Sequence, residues 1–293
     1  MWSTVKLVIF FISMIISFLS FPDKRGLADL FQIPPYLLYR LRCRLASTAV
    51  DAAGGNEYTC YCVKCKIGHD LSAGKEIKDM KLYIVRHGET DWNRQKKVQG
   101  HTDIPLNEYG RHLTEETAEG MKDIPLDMGY TSPLKRARET AEIILKGRKI
   151  PLLDEPRIQE IGFGIYEGIH SGGEQKEPGS DEFNLFFTDT ASYVPPEGAE
   201  SVEELYERTG RFLEELCSCR DLADKNILIS THGAAMTAML NRIRGNVNVA
   251  GFWEDEVPPN CSVTMVEVHD GCASIVKEGV IYYREKVRKW KTV

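Results

Sequence analysis

A basic surface is missing from most of this 293-residue chain: positions 81–293 carry 27 Lys and Arg against 36 Asp and Glu, a net charge of −9. That balance excludes non-specific nucleic-acid binding, which needs a positive face for the phosphate backbone. An anionic ligand must then be held by a local cluster of cations, not by the overall field. The sequence also lacks a P-loop, a GxGxxG turn after a strand, a metal motif in its main body, internal repeats and low-complexity tracts. Nucleotide and dinucleotide sites of those types are thereby excluded. Cysteine is sparse, with eight residues, four of them before Met80. The other four fall in segments that read as helix and strand, where a thiol behaves as a small apolar group. A chain of this length has an adequate core without a disulfide framework. At 42% hydrophobic and 27% charged residues, the composition is that of an ordinary globular protein.

Long apolar runs are scarce too. The clearest is Leu7–Phe21, 15 residues, where a spanning helix wants about 20 and a signal-peptide core about 7–15. Lys6 precedes it, whereas Lys24, Arg25, Arg40, Arg42 and Arg44 follow it. Positive charge favours the cytoplasmic side, so the flanks place the later residues inside the cell. A short membrane anchor is the first reading. A cleaved signal is the second, disfavoured by the poor cleavage site at Ser20-Phe21-Pro22. In a third reading translation starts at Met80 and the product is soluble and cytoplasmic. The expected organisation is a hydrophobic segment (1–22), a linker (23–79) and one domain (80–293). Within the linker, Cys60, Cys62, Cys65 and His69 supply donors of the kind zinc uses. Their spacing does not match paired CxxC knuckles, and incidental cysteines are the favoured reading.

In the domain, Lys81–Val85 is a short β-rich apolar run and predicts a buried strand. Asn107 caps a helix to about Lys122. A strand around Tyr130 ends at Ser132-Pro133. Helices follow over Leu134–Leu145 and Ser201–Cys217, with apolar residues at helical spacing. Asn226–Ser230 predicts another buried strand leading into an Ala/Met/Leu-rich helix, and Ser262–Val268 and Ala273–Val280 predict two late strands. Strands alternating with helices imply an α/β fold, a largely parallel sheet covered on both faces.

Two histidines sit just past strand ends, where open α/β sheets place their active groups. His87 lies in Arg86-His87-Gly88-Glu89, and His232 in Ser230-Thr231-His232-Gly233. Each is followed by glycine, which lets the backbone turn sharply and bring N–H groups close to a ligand. Arg86-His87-Gly88-Glu89-Thr90 with Asn93 resembles the signature of the histidine phosphatase superfamily, which includes the cofactor-dependent phosphoglycerate mutases. Five further segments follow in that family's order. They are Gly100–Leu106, Ser132–Ala141 with Arg136, Gln159–Gly168 with Glu160, Pro196–Ser201, and Ser230–Gly233. The resemblance runs from about Lys81 to about Tyr283. It implies a three-layer α/β/α sandwich of the phosphoglycerate mutase type.

The resemblance also implies roles. His87 is the nucleophile that carries the phosphoryl group as a covalent intermediate. Arg86 and Arg136 clamp phosphate oxygens, for which a planar guanidinium suits better than an ammonium. His232 contacts the same oxygens, with protonation and the following helix N-terminus adding charge and donors. Glu160 is the general acid that protonates the leaving oxygen and later activates water. Asn93, Thr102 and Gly233 complete the phosphate contacts. Glu89 and Glu167 are read as supporting carboxylates, Trp92 as packing, Arg138 as a solvated helix residue and Arg208 as an ion-pair former. No cofactor or metal is implied, and the partner is a small phosphorylated metabolite.

Both a phosphatase and a mutase use the same first half-reaction. Mutases carry a longer stretch between the acid and the last histidine, whereas Glu160 to His232 spans 72 residues here. The phosphatase reading is therefore preferred, with a mutase as the alternative and a non-catalytic phosphate-binding module as a second alternative. Residues 171–195, with Phe183, Phe186, Phe187 and Tyr193, are expected to cap the site and to suit an apolar or ring-bearing substrate portion.

Overall fold

The computed structural model describes residues 79–171, 176–253 and 256–284. Leu7–Phe21, positions 23–78 of the linker and with them Cys60, Cys62 and Cys65 lie outside the described residues, and so do the readings that rest on them. Among the described residues, no helix is long and apolar enough to cross a membrane.

The elements run β1 (Met80–Arg86), α1 (Asp91–Arg94), α2 (Glu108–Gly120), β2 (Met128–Thr131), α3 (Lys135–Ile144), β3 (Leu152–Asp154), α4 (Ser180–Thr188), α5 (Val202–Cys217), β4 (Asn226–Thr231), α6 (Gly233–Arg244), β5 (Val263–His269) and β6 (Cys272–Val280). They form one six-stranded sheet in the order β3-β2-β4-β1-β5-β6. β1 is buried at every position but Lys81, as a central strand covered on both faces must be. Tyr83, Val85 and Leu228 pack with Met121 at the end of α2 and with Ala141 and Ile144 of α3. The alternate residues Leu82, Ile84, Ile227 and Ile229 are also fully buried, because successive side chains point to opposite faces.

Local signals fix the helix starts. The Asn107 side chain accepts from the Gly110 N–H at 2.7 Å. Ser201 and Glu204 form a reciprocal capping box at the start of α5.

The sheet is α/β as expected, but mixed. β3, β2, β4 and β1 are parallel, while β5 runs antiparallel to β1 and β6 antiparallel to β5. The β5–β6 pairing follows from the two-residue connection Asp270-Gly271, with φ of 49° and 79°. An Asp-Gly pair with both φ positive is a hairpin turn, and a hairpin can only be antiparallel. Three elements escaped the sequence reading, the four-residue α1 among them. β3 has three residues, and α4 occupies the stretch read as a capping loop.

Candidate functional site

β1 and β4 are parallel neighbours with Arg86 opposite Thr231. The next residue on each strand is therefore a histidine, and the His87 N–H bonds the Thr231 carbonyl at 2.9 Å. Sheet spacing then brings the two rings together, with centroids 5.1 Å apart. His87 Nδ1 lies 2.7 Å from the Gly88 carbonyl. A carbonyl can only accept, so Nδ1 carries the proton and Nε2 keeps its lone pair. Burial first, then Arg136 and Arg86, push the His87 pKa well below its ordinary value. The ring is neutral.

His232 is fixed in the opposite tautomer. Its Nδ1 accepts from Arg136 Nε at 3.2 Å, and its Nε2 donates to Ser132 Oγ at 2.8 Å. Burial, then Arg136 and His87, hold its pKa well below the ordinary value. The expectation of a protonated His232 is not met, because a buried site with two arginines has no room for a third positive charge.

A guanidinium has five N–H donors. Arg136, fully buried, uses three of them: on His232, on the Thr102 carbonyl at 2.9 Å and on the Gly100 carbonyl at 2.7 Å. Its pKa is pushed down to about 10 by burial, against the pull of Glu160, so it stays charged at neutral pH. Arg86 bonds the Pro258 carbonyl through Nη1, and its buried Nε has no partner. Both arginines therefore hold donors in reserve.

Glu160 reaches the start of α6. Its Oε1 accepts from the N–H groups of Ile161 and Ala235, both at 3.1 Å, and its Oε2 from Ala234 at 3.2 Å. The helix N-terminus expected to face phosphate is thus occupied by this carboxylate, which a helix start favours in the same way. At Gly233 an added Cβ would meet Val257 at 3.2 Å and lie 3.6 Å from both Arg86 Nε and Glu160 Oε2. Glycine there leaves the space between them open.

Asn93 lines the same cleft as Arg86, His87, Arg136, Glu160 and Gly233. Its Oδ1 accepts from Thr90, which leaves its amide N–H group for the cleft. Thr102 does not join them. Its hydroxyl and N–H both go to Glu167 Oε2, so its contribution to the site is the carbonyl that holds Arg136. Glu89 accepts from Asn107, away from the cleft, in keeping with a supporting role. Phe183 and Phe186 are buried against Phe163 in one aromatic cluster, and Phe187 and Trp253 complete the apolar wall. Tyr193 packs on Phe186, with centroids 5.3 Å apart, and is not part of the cleft lining.

The sequence reading missed Lys97 and Gln99 in the cleft. It also missed Asn260, whose Nδ2 holds the His87 carbonyl at 2.9 Å. The Lys97-Val98-Gln99 stretch adjoins the family motif and offered a signal by position. Asn260, 173 residues from His87 in sequence, offered none.

A family model of the histidine phosphatase superfamily (branch 1) matches residues 82–280. The chain belongs to this superfamily. Among curated relatives, an uncharacterized phosphatase, PhoE, of Bacillus subtilis is 38% identical over 163 residues, 55% of this chain and 76% of the relative. A probable phosphoglycerate mutase, GpmB, of Escherichia coli is 31% identical over 193 residues, 65% of this chain and 86% of the relative. Among solved structures, Bacillus stearothermophilus YhfR superposes with a TM-score of 0.61 at 28% identity, covering 68% of this chain and 96% of that one. Histidine phosphatase superfamily membership thus agrees with the fold, and the relatives include both phosphatase-like and mutase-like proteins.

Proposed function

We propose that residues 80–293 hydrolyse a phosphomonoester through a phosphohistidine on His87. The observation that carries this reading is the His87 ring: neutral, with Nδ1 committed to Gly88, Nε2 free, and two arginines with donors in reserve beside it. A neutral imidazole nitrogen attacks phosphorus, the phosphorus–oxygen bond of the ester breaks, and the Glu160 carboxylate passes the proton of a monoanionic ester to the leaving oxygen. Arg86, Arg136 and the Asn93 amide take the charge on the equatorial oxygens. His232 holds Arg136 in place through Nδ1. Water then attacks the phosphohistidine, Glu160 takes its proton, and inorganic phosphate leaves.

The aromatic wall supports a substrate with an apolar or ring-bearing portion, and Lys97 adds a further cation in the cleft. Hydrolysis is preferred to mutase chemistry on the short connection between Glu160 and His232. The positive flank after Leu7–Phe21 supports a cytoplasmic placement of the domain.

The test is phosphate release from a panel of alkyl and aryl phosphomonoesters that includes 3-phosphoglycerate, assayed in EDTA with the full chain and its His87→Ala variant. Release that disappears in the variant is expected. Isomerisation of 3-phosphoglycerate without release would replace the phosphatase reading with the mutase one. No turnover of any ester would leave the binding module.

A further inference from the structure

Glu160 carries the proposed acid, yet its backbone follows the short turn Pro156–Ile158 and belongs to no helix or strand. Something must hold that segment, since a 1 Å displacement of a catalytic group is costly in rate. The geometry points to Arg208 of α5 as a residue that positions Glu160, beside His101, whose Nε2 lies 2.8 Å from the same Glu160 carbonyl, an inference that rests on the proposed function above.

All five Arg208 donors are used, and three of them grip this one segment. Nη1 donates to the carbonyls of Arg157 and Gln159, each at 2.8 Å, and Nη2 to the carbonyl of Glu160 at 3.0 Å. The remaining two form a fork on Glu200, Nε to Oε1 and Nη2 to Oε2 at 2.7 Å. Glu200 itself is fixed just before the capping box that starts α5. The route is therefore Glu200, Arg208, three carbonyls, then the carboxylate on α6. Arg208 does not line the cleft and has no donor left for substrate. Arg86 and Arg136, in contrast, keep donors free. A lysine at 208 has three donors and no fork, and does not reproduce the arrangement.

The experiment compares phenyl phosphate with p-nitrophenyl phosphate on the full chain, reading the single-turnover rate of phenol release. The two esters share a ring and differ in how much the leaving oxygen needs a proton. Arg208→Lys is expected to lose about 10–100-fold on phenyl phosphate and less than about 3-fold on p-nitrophenyl phosphate, as a misplaced general acid predicts. Glu160→Gln is expected to show the same selectivity more strongly. Adding Arg208→Lys to Glu160→Gln is expected to change the rate less than about 2-fold, because Arg208 acts through that carboxylate. Equal losses on both esters, or a full additional loss in the double variant, would overturn the Arg208 assignment and leave only a structural role. A Glu160→Gln variant with no leaving-group selectivity would instead overturn the acid assignment itself, and the Arg208 inference with it. A variant Arg208→Lys that fails to fold is replaced by Glu200→Gln, which weakens the fork from its other end and carries the same expectations.

Discussion

The chemistry of each buried cation and histidine follows from where its hydrogens go. His87 and His232 lie side by side with opposite tautomers because their partners differ: a carbonyl that must accept, and a guanidinium that must donate. Neutral His87 is already the attacking form. In the ligand-free protein the His87 imidazole should therefore stay neutral as pH falls through about 6.5, where an ordinary histidine protonates. Imidazole NMR shifts of His87 that move with a midpoint near that value would show that the ring is not shielded. Both histidines were legible in the sequence from strand ends and glycines. Their protonation states were not, because these depend on Arg136 and Ser132, which are 96 and 100 residues from His232.

At the scale of elements, the site depends on close contacts between loops. α2 approaches the His87 loop so tightly that a Cβ on Gly110 would lie 2.1 Å from the Glu89 carbonyl oxygen. Gly110→Ala should destabilise the domain by about 3 kcal/mol, since the obstacle is backbone and cannot rotate away. Thermal unfolding of the full chain measures this. Glu167 does for the 100–102 loop what Arg208 does for Glu160. It accepts from the N–H groups of His101, Thr102 and Phe163 and from the Thr102 hydroxyl, and that loop supplies two of the carbonyls that hold Arg136. Glu167→Gln exchanges an acceptor oxygen for a donor facing N–H groups, and kcat/KM should fall about tenfold or more with the fold intact. Steady-state kinetics alongside circular dichroism checks both parts. The sequence motif placed Glu167 near the site but could not show this role. The four donors converge only once the loops are folded. The helices α2, α3 and α5 were legible from caps and apolar spacing, and the hairpin turn Asp270-Gly271 was legible but overlooked.

For the whole molecule, a sheet whose parallel core places two neutral histidines under cover links stability to pH. Both residues have folded pKa values below their unfolded ones. Between the two values the unfolded chain binds more protons than the folded one, so stability rises with pH there. The contribution is present above about 6.5 and is lost as pH falls below it. The ligand-free protein should therefore show a falling Tm on acidification from about pH 6.5, with a shallower slope in a His87→Gln, His232→Gln double variant. An unchanged slope would remove these residues from the acid response.

The covalent step is tested most directly by trapping it. The full chain is mixed with a turned-over phosphomonoester, quenched in alkali and digested, and the peptides are mapped by mass spectrometry. A phosphoryl group that is stable to alkali and lost in acid should appear on the peptide containing His87, and should be absent from the His87→Asn variant. Turnover with no phosphopeptide, or with the phosphoryl group on another residue such as His232, would contradict the assignment of His87 as the nucleophile.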